Sequence, residues 1–392
     1  MSDARPAIDL AREFIESWDP ATPREESLRA RYDAGLAWVA RPAGLGGLGC
    51  APEDQRAVEA AFTAAGFPDN NALANGIGLG MAAPTIFAVG TDEQKERLLR
   101  PLWTGEEIWC QLFSEPGAGS DLANVATRAV RTGDGWVVNG QKVWTSNAHN
   151  AVYALLLART DPDLPKHSGL TYFALDMRDP GVEVRPLRQI TGEAEFNEVF
   201  LTDVVIPDTD RLGDVNNGWL VAMTTLANER VSIGNSDAEV EQTMVDVVER
   251  TWRSAPESTR ERTRDRFMSL WVDAKVADLA AARMKQQLEA GKPGPEGSAL
   301  KVTFARLAQE LSGLEIELLG ADGLGYGDWE MVRPTIVEFT GRDAGYRYLR
   351  AKGNSIEGGT SEILLNIIAE KVLGLPPEHR PDKGMAWKDS PR

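Results

Sequence analysis

The chain has 392 residues, 42% hydrophobic and 26% charged, which is enough for two or three domains around a sizeable core. Its net charge of −17 argues against nucleic-acid binding, which needs a basic footprint, and leaves any polyanionic ligand dependent on local donors. Two cysteines (Cys50, Cys110) and three histidines (His149, His167, His379) speak against a disulfide framework and against a metal site, and no CxxC is present. No run approaches 18 apolar residues, so no membrane span is expected. MSDARPAIDLAREF carries charges where a signal peptide needs an apolar run, which gives a cytoplasmic expectation.

The first hundred or so residues read as helices. PREESLRARYDAGLAWVA (23–40) and PEDQRAVEAAFTAAG (52–66) open at proline and carry helical apolar spacing. TDEQKERLLRPLW opens with a capping box, Thr91-x-x-Gln94. Between the first two, GLGGLG (44–49) fits GxGxxG, but no strand precedes it, so a loop between helices is the better reading. From about Trp109 to Gly213 the period changes to two. Asp134-Gly135 and Asn139-Gly140 are turn dipeptides between alternating runs, and AVYALLLART, LTYFALDM, VEVRPL and NEVFLTDVVI follow as strands. No helical segments separate these strands, which predicts a mostly antiparallel sheet. From Asn217 the chain is helical again, in four or five long segments. TSEILLNIIAEKVLG closes the last of them at Gly374, with Pro376 just beyond. The class is therefore α+β, with expected domains at 1–108 (helical), 109–213 (β) and 214–376 (helical), and a polar tail at 377–392.

FSEPGAGSDLA (113–123) is the most informative stretch. Pro116, Gly117 and Gly119 keep side chains off the backbone, leaving amides and the Ser114 and Ser120 hydroxyls free to meet a phosphate or the polar edge of a flat ring. A tight surface turn is the alternative. GDGWVVNGQKVWTSNA follows, with Trp144, Thr145 and Ser146 at the end of a strand, where an indole can cover an aromatic ring while nearby hydroxyls bond to it.

With GTDEQKERLL, LANERVSIG and IEGGTSEILLNIIAEKVLGLP, these stretches resemble the acyl-CoA dehydrogenase family from about Leu45 to Pro376. The resemblance implies an N-terminal helical domain, a small antiparallel β domain and a C-terminal four-helix bundle, with FAD as cofactor. It implies oxidation of an acyl-CoA to its trans-2-enoyl-CoA, the flavin N5 taking the β-hydrogen as hydride, and an electron-transfer flavoprotein as acceptor. It also implies a homodimer or homotetramer, a hetero-oligomer remaining open. By resemblance Gln111, Phe113, Ser114, Gly119, Ser120, Trp144, Thr145, Ser146, Thr360 and Glu362 would hold FAD. Ser120, Asn228, Arg230, Gly358 and Gly359 would meet the acyl-CoA, and Asn75 to Ala83 would line the acyl pocket with small residues that suit a bulky chain.

The chemistry needs a carboxylate near the substrate C2 in a dry pocket, where burial raises a carboxylate's pKa by up to about 3–5. GNSIEGGTSEI (353–363) offers Glu357, yet many family members place the base immediately before the Gly-Thr of this turn, and that place is Gly358 here. If the turn were helical, one step would rotate the side chain by about 100°, away from the site, leaving Glu357 a solvated loop acid. One branch of the family, as in isovaleryl-CoA and long-chain acyl-CoA dehydrogenases, takes its base from a C-terminal-domain helix instead. The matching stretch, TTLANERVSIG, offers Glu229, on a stripe with Ala222, Leu226 and Ile233.

Two departures stand out. The Arg-x-x-Phe-Gly motif that reaches a neighbouring subunit's FAD is missing from PESTRERTRDRFMSL, and Glu317 replaces the usual Gln before Leu-Gly. FAD contacts across a dimer then differ, or a related partner subunit completes the site. An oxidase or monooxygenase, or a non-catalytic subunit of a mixed oligomer, are the alternatives on the same fold.

Overall fold

In the computed structural model, which describes residues 6–70, 72–234, 243–289, 297–327, 329–335 and 341–390 without the side chains of 229–234 and 288–289, the capping box forms as expected. Thr91 Oγ1 accepts from the Gln94 amide at 3.3 Å, and Gln94 Oε1 accepts from the Thr91 amide at 2.9 Å. This opens the last of five N-terminal helices, α1 (Ala7–Ser17), α2 (Arg24–Asp33), α3 (Asp54–Ala64), α4 (Ala83–Val89) and α5 (Asp92–Thr104). Helix α2 stops at Asp33 and not at Ala40, because Gly35 turns left-handed (φ +75°) and the following amides of Ala37 and Trp38 bond to Gly46 O at 3.1 and 2.8 Å. GLGGLG is thus a loop folded back on the end of a helix.

The middle of the chain forms β1 (Trp109–Leu112), β2 (Arg128–Thr132), β3 (Gly135–Ser146), β4 (Tyr153–Arg159), β5 (Leu170–Asp176), β6 (Val182–Pro186) and β7 (Phe196–Pro207). The order is β1-β4-β2-β3-β7-β6, with β5 on β4. The pairs β2–β3, β3–β7 and β4–β5 are antiparallel, as expected, but the sheet is mixed, because β1 runs parallel to β4, pairing Trp109 with Tyr153. The crossover between them contains the β2–β3 hairpin instead of a helix, so the absence of helices between strands did not exclude parallel pairing. Asn139-Gly140 makes no turn. It lies inside β3 at a register shift against β7, and Gly140 is required there because a Cβ would meet the Thr127 side chain at 2.4 Å. The hairpin turn is Gly133-Asp134, one residue earlier than expected, with Gly133 left-handed (φ +56°).

Strand β4 is apolar throughout because both of its faces are covered. Leu155 and Leu157 join a core with Leu28, Phe62, Ile86 and Leu99 of the helices, whereas Ala154, Leu156 and Ala158 join Val138, Phe173 and Val199 of the sheet. Each such leucine contributes about 1.5–3 kcal/mol by leaving water.

The C-terminal part forms α6 (Gly218–Gly234), α7 (Met244–Ser254), α8 (Glu257–Glu289), α9 (Gly297–Leu319), α10 (Ala344–Ala351) and α11 (Ser361–Ile367). Leu307, Leu311, Leu314 and Leu318 of α9 recur at helical spacing and pack on Val245 and Val248 of α7 and Phe267 and Leu270 of α8. The chain folds as two units: Met1–Arg185 with Phe196–Glu229 and Gly384–Arg392, and Pro186–Glu195 with Arg230–Lys383. Among the described residues no helix is long and apolar enough to cross a membrane.

Just past β7, Asp208 accepts from Arg211 Nε at 3.0 Å and Trp136 Nε1 at 2.8 Å. These bonds, Arg211's first, lower its pKa from 3.8 to about 2. A carboxylate lowered in this way adds stability above its unfolded pKa that is lost as pH falls through its folded one. Thermal melts at successive pH values should therefore lose part of their midpoint between pH 3.8 and about 2, and Asp208→Asn should make that loss shallower.

Candidate active site

The loop after β1 is shaped from beneath by one buried lysine. Lys142 of β3, with a fully buried side chain, donates to Phe113 O at 3.0 Å, to Leu157 O at 2.8 Å and to Glu115 Oε1 at 2.8 Å. Glu115 also accepts from the amides of Ala126 at 2.7 Å and Thr127 at 2.9 Å. Burial alone would raise the Glu115 pKa, but Lys142 and these donors outweigh it and hold it below the usual carboxylate range. Above this pair, Glu115 and Ala118 exchange backbone bonds at 3.0 Å, closing a tight turn. The turn leaves Pro116, Gly117, Gly119 and Ser120 exposed, with Ser114 half-buried, Phe113 buried and Gln111 half-buried on β1. Ser114 O accepts from the Val143 amide at 2.9 Å, which ties the loop directly to the segment of β3 that carries Trp144.

Between Lys142 and Thr145 the β3–β7 register shifts, and Trp144 takes φ +61° with its indole 56% exposed. A bulky residue in the left-handed region costs about 1–3 kcal/mol, and such strain collects at functional sites. The bulge turns the indole outward against the edge of Phe196, ring centroids 5.8 Å apart. Thr145 points inward, and its buried Oγ1 has no hydrogen-bond partner among the described residues. Asn197 Nδ2 fixes the Thr145 carbonyl at 3.0 Å, and Ser146 beyond it is half-buried. A strained indole platform, an unpaired hydroxyl and an open glycine turn therefore lie on the linked segments 113–120 and 144–146 of the first unit.

In the second unit the glycine turn is not helical. Gly358 and Gly359 are both left-handed (φ +61° and +92°), and α11 begins only at Ser361. The expected helical rotation between Glu357 and Gly358 thus has no basis. Glu357 keeps 36% of its side chain exposed but is not a free loop acid: its two oxygens accept from Arg350 Nη1 and Nη2, each at 2.9 Å. Lys301 Nζ donates to Gly359 O at 2.6 Å, and Thr360 caps α11, its Oγ1 accepting from the Ile363 amide at 3.2 Å. Glu362 is exposed in the first turn of α11.

On α6, Ala222 and Thr225 are buried and Leu226 packs against the first unit's core, and Glu229 comes seven, four and three residues after them in sequence. The side chains of Glu229, Arg230 and Ile233 lie outside the described residues. Asn228 Nδ2 bonds to Thr224 O of its own helix at 2.9 Å, so its amide nitrogen is engaged locally. One turn ahead of Glu229, Thr225 Oγ1 meets Thr85 Oγ1 at 2.9 Å and Tyr172 OH at 2.9 Å, a buried hydroxyl chain absent from the sequence reading. Thr85 follows a π-helical turn at Gly78–Ala82, within the stretch expected to line the acyl pocket. Glu317 pairs with Arg266 at 2.9 Å, which accounts locally for the acid at this position.

Three consecutive family models match the chain: acyl-CoA dehydrogenase N-terminal domain over 8–106, middle domain over 110–204 and C-terminal domain over 216–373. The chain belongs to the acyl-CoA dehydrogenase family. It is 41% identical over 363 residues to acyl-CoA dehydrogenase FadE34 of Mycobacterium tuberculosis, covering 91% of this chain but 47% of FadE34, so it spans about half the length of that relative. It is 37% identical to acyl-CoA dehydrogenase IpdE1 of the same organism, covering 88% of this chain and 86% of IpdE1. Among solved structures, the ChsE4-ChsE5 complex from Mycobacterium tuberculosis is 28% identical with a TM-score of 0.67, covering 96% of this chain and 100% of that chain. The Tcur3481-Tcur3483 steroid ACAD, 24% identical with a TM-score of 0.71 over 96% of this chain and 100% of that chain, shares the fold. Acyl-CoA dehydrogenases are FAD-dependent, and the exposed Trp144 indole beside the unpaired Thr145 hydroxyl fits that cofactor.

Lys142→Met would strand Glu115 in apolar surroundings, a loss of about 3–5 kcal/mol for a broken buried pair. Chemical denaturation should show that loss, and the folded fraction should purify with less flavin by visible absorbance. A variant of full stability and full flavin content would contradict the role given to Lys142.

Proposed function

We propose that the chain is an FAD-dependent acyl-CoA dehydrogenase in which Glu229 takes the C2 proton of an acyl-CoA and the product is the trans-2-enoyl-CoA. What carries this reading is the commitment of Glu357 to Arg350. With glycine at 358 and the neighbouring acid already bonded through both oxygens, the turn has no carboxylate to give. Glu229 then stands as the base, on a helix face whose preceding members Ala222, Thr225 and Leu226 are core-facing.

The chain's own residues have the following parts. Glu229 abstracts and holds the proton. The left-handed Gly358–Gly359 segment presents amides to the thioester carbonyl, stabilising the charge that develops there. Arg230 and Ser120 bind the CoA ester. Gln111, Phe113, Ser114, Gly119, Ser120, Trp144, Thr145, Ser146, Thr360 and Glu362 hold FAD. When bound, FAD supplies the two-electron acceptor for the hydride from C3. Electron-transfer flavoprotein is the proposed onward acceptor.

A ring-bearing or otherwise bulky acyl group is the proposed substrate class. The small residues of Asn75–Ala83 support it, as does the likeness to a protein described as a steroid ACAD. A mixed oligomer is the proposed assembly, since Glu317 pairs with Arg266 within its own unit and the Arg-x-x-Phe-Gly motif is missing. The ChsE4-ChsE5 complex gives a precedent for two different chains. Domain limits of 1–108, 109–213 and 214–376 are proposed on the sequence pattern.

In anaerobic mixing with a panel of straight, branched and steroid-like acyl-CoA esters, Glu229→Gln should retain FAD. It should lose flavin bleaching by at least the 10²- to 10⁴-fold ascribed to a general base. Bleaching at the wild-type rate would sink the assignment.

A further inference from the structure

The second unit brings together three carboxylates, Glu193, Glu195 and Glu357, and two guanidinium groups, Arg342 and Arg350. Arg350, at the end of α10, has a side chain only 14% exposed. Its fork grips Glu357 through two bonds of 2.9 Å, its Nη1 lies 3.5 Å from Asn354 Oδ1, and its Nε lies 3.5 Å from Glu195 Oε1. Glu195 is itself buried, and Gln189 Nε2 donates to its other oxygen. Two residues earlier, Glu193 accepts from Tyr346 OH at 2.6 Å and from Arg342 Nη1 at 2.5 Å. The segment 186–195 is therefore strapped to α10 by two acids, and α10 is anchored to α9 by Arg347, which donates to Glu315 at 2.9 and 2.5 Å.

The geometry points to Arg350 as a positioning residue for the glycine turn 357–360, with Glu357 as its carboxylate clamp. This rests on the proposal that the turn receives the thioester carbonyl. The argument is mechanical. Two successive left-handed glycines have little conformational preference of their own, so their amides are aimed only if both ends of the turn are fixed. The far end is fixed by Lys301 on Gly359 O and by the Thr360 cap. The near end is held by two backbone bonds to Gly353 O, from Ile356 at 2.8 Å and Glu357 at 3.0 Å, and by the fork of Arg350. Of these, the bidentate pair is the anchor that sets direction as well as distance, because a planar fork on a planar carboxylate restricts rotation. Glu195 Oε1 lies 3.5 Å from the Nε on the other side of the group, an ion-pair distance without a hydrogen bond. The side chain is only 14% exposed, and lysine, with no planar fork, could not reproduce its two aligned bonds to Glu357.

The test uses the full-length protein as purified with its flavin, as the wild type and as Arg350→Met, Arg350→Lys and Glu357→Gln. Hydrogen exchange read by mass spectrometry should show peptides covering 353–363 losing protection in all three variants, with α9 and the sheet unchanged. Arg350→Lys should fail to restore protection. In stopped-flow mixing with the ester that the wild type bleaches fastest, Arg350→Met should cut the bleaching rate about ten- to hundredfold, the loss expected of misplaced donors, with flavin content kept. Glu357→Gln should cost only a few-fold. Infrared spectra of the matching ¹³C-carbonyl enoyl-CoA should show the bound carbonyl stretch moving toward its free position in Arg350→Met.

Unchanged exchange at 353–363 in Arg350→Met and Glu357→Gln overturns the positioning role whatever the activity. Lost protection with an unshifted carbonyl also overturns it, because the turn then does not serve the thioester. A larger rate loss in Glu357→Gln than in Arg350→Met makes Glu357 the base and defeats both proposals. A wild type that bleaches with no ester, but whose turn loses protection on Arg350→Met, defeats the proposed reaction and leaves the anchoring of the turn standing.

Discussion

A carboxylate gripped through both oxygens by a largely buried guanidinium is not available to take a proton from carbon. To do so it would have to leave Arg350, and that would break two bonds of 2.9 Å to a largely buried cation. This constraint organises the rest of the chain's chemistry. With Glu357 committed and glycine at 358, the turn is proposed to supply backbone amides and shape. In the proposed reaction the acid then comes from α6, where the sequence places Glu229.

The segments proposed to face the flavin show the same division between groups that act and groups that hold. Trp144 and Thr145 present opposite faces of a bulge, and the strain at Trp144 persists because its neighbours on either side are fixed. Lys142 is fixed by three buried acceptors, and the Thr145 carbonyl by Asn197. The Lys142–Glu115 pair costs desolvation and returns geometry: it joins the loop 113–118 to β3 and β4 at one point, so the exposed glycines are carried on a stiff base. A hydrophobic replacement could match its stability without specifying the loop.

What was legible in the sequence was local. The Thr91 capping box needs four residues and was read directly, and SEPGAGSD shows its open backbone in its own composition. What was missed depended on distant partners. Asn139-Gly140 has the chemistry of a turn, but Thr127, on the neighbouring segment, makes the same glycine a close-packing site in a bulged strand. The parallel pairing of β1 with β4 spans a whole hairpin and leaves no trace in periodicity. Lys142 occupies an inward place in an alternating strand, a signal that could have prompted a search for an acid, though Glu115 lies well upstream. Glu357 was judged by its neighbours in the turn, while its true partner, Arg350, stood seven residues earlier at the end of α10.

The most direct measurement is a crystal structure of the flavin-loaded protein with an enoyl-CoA bound. The account expects a Glu229 carboxylate oxygen near C2, at contact distance or bridged by one water, with Glu357 still bonded to Arg350. Glu357 released from Arg350 and lying against C2, with Glu229 turned to solvent, would contradict it.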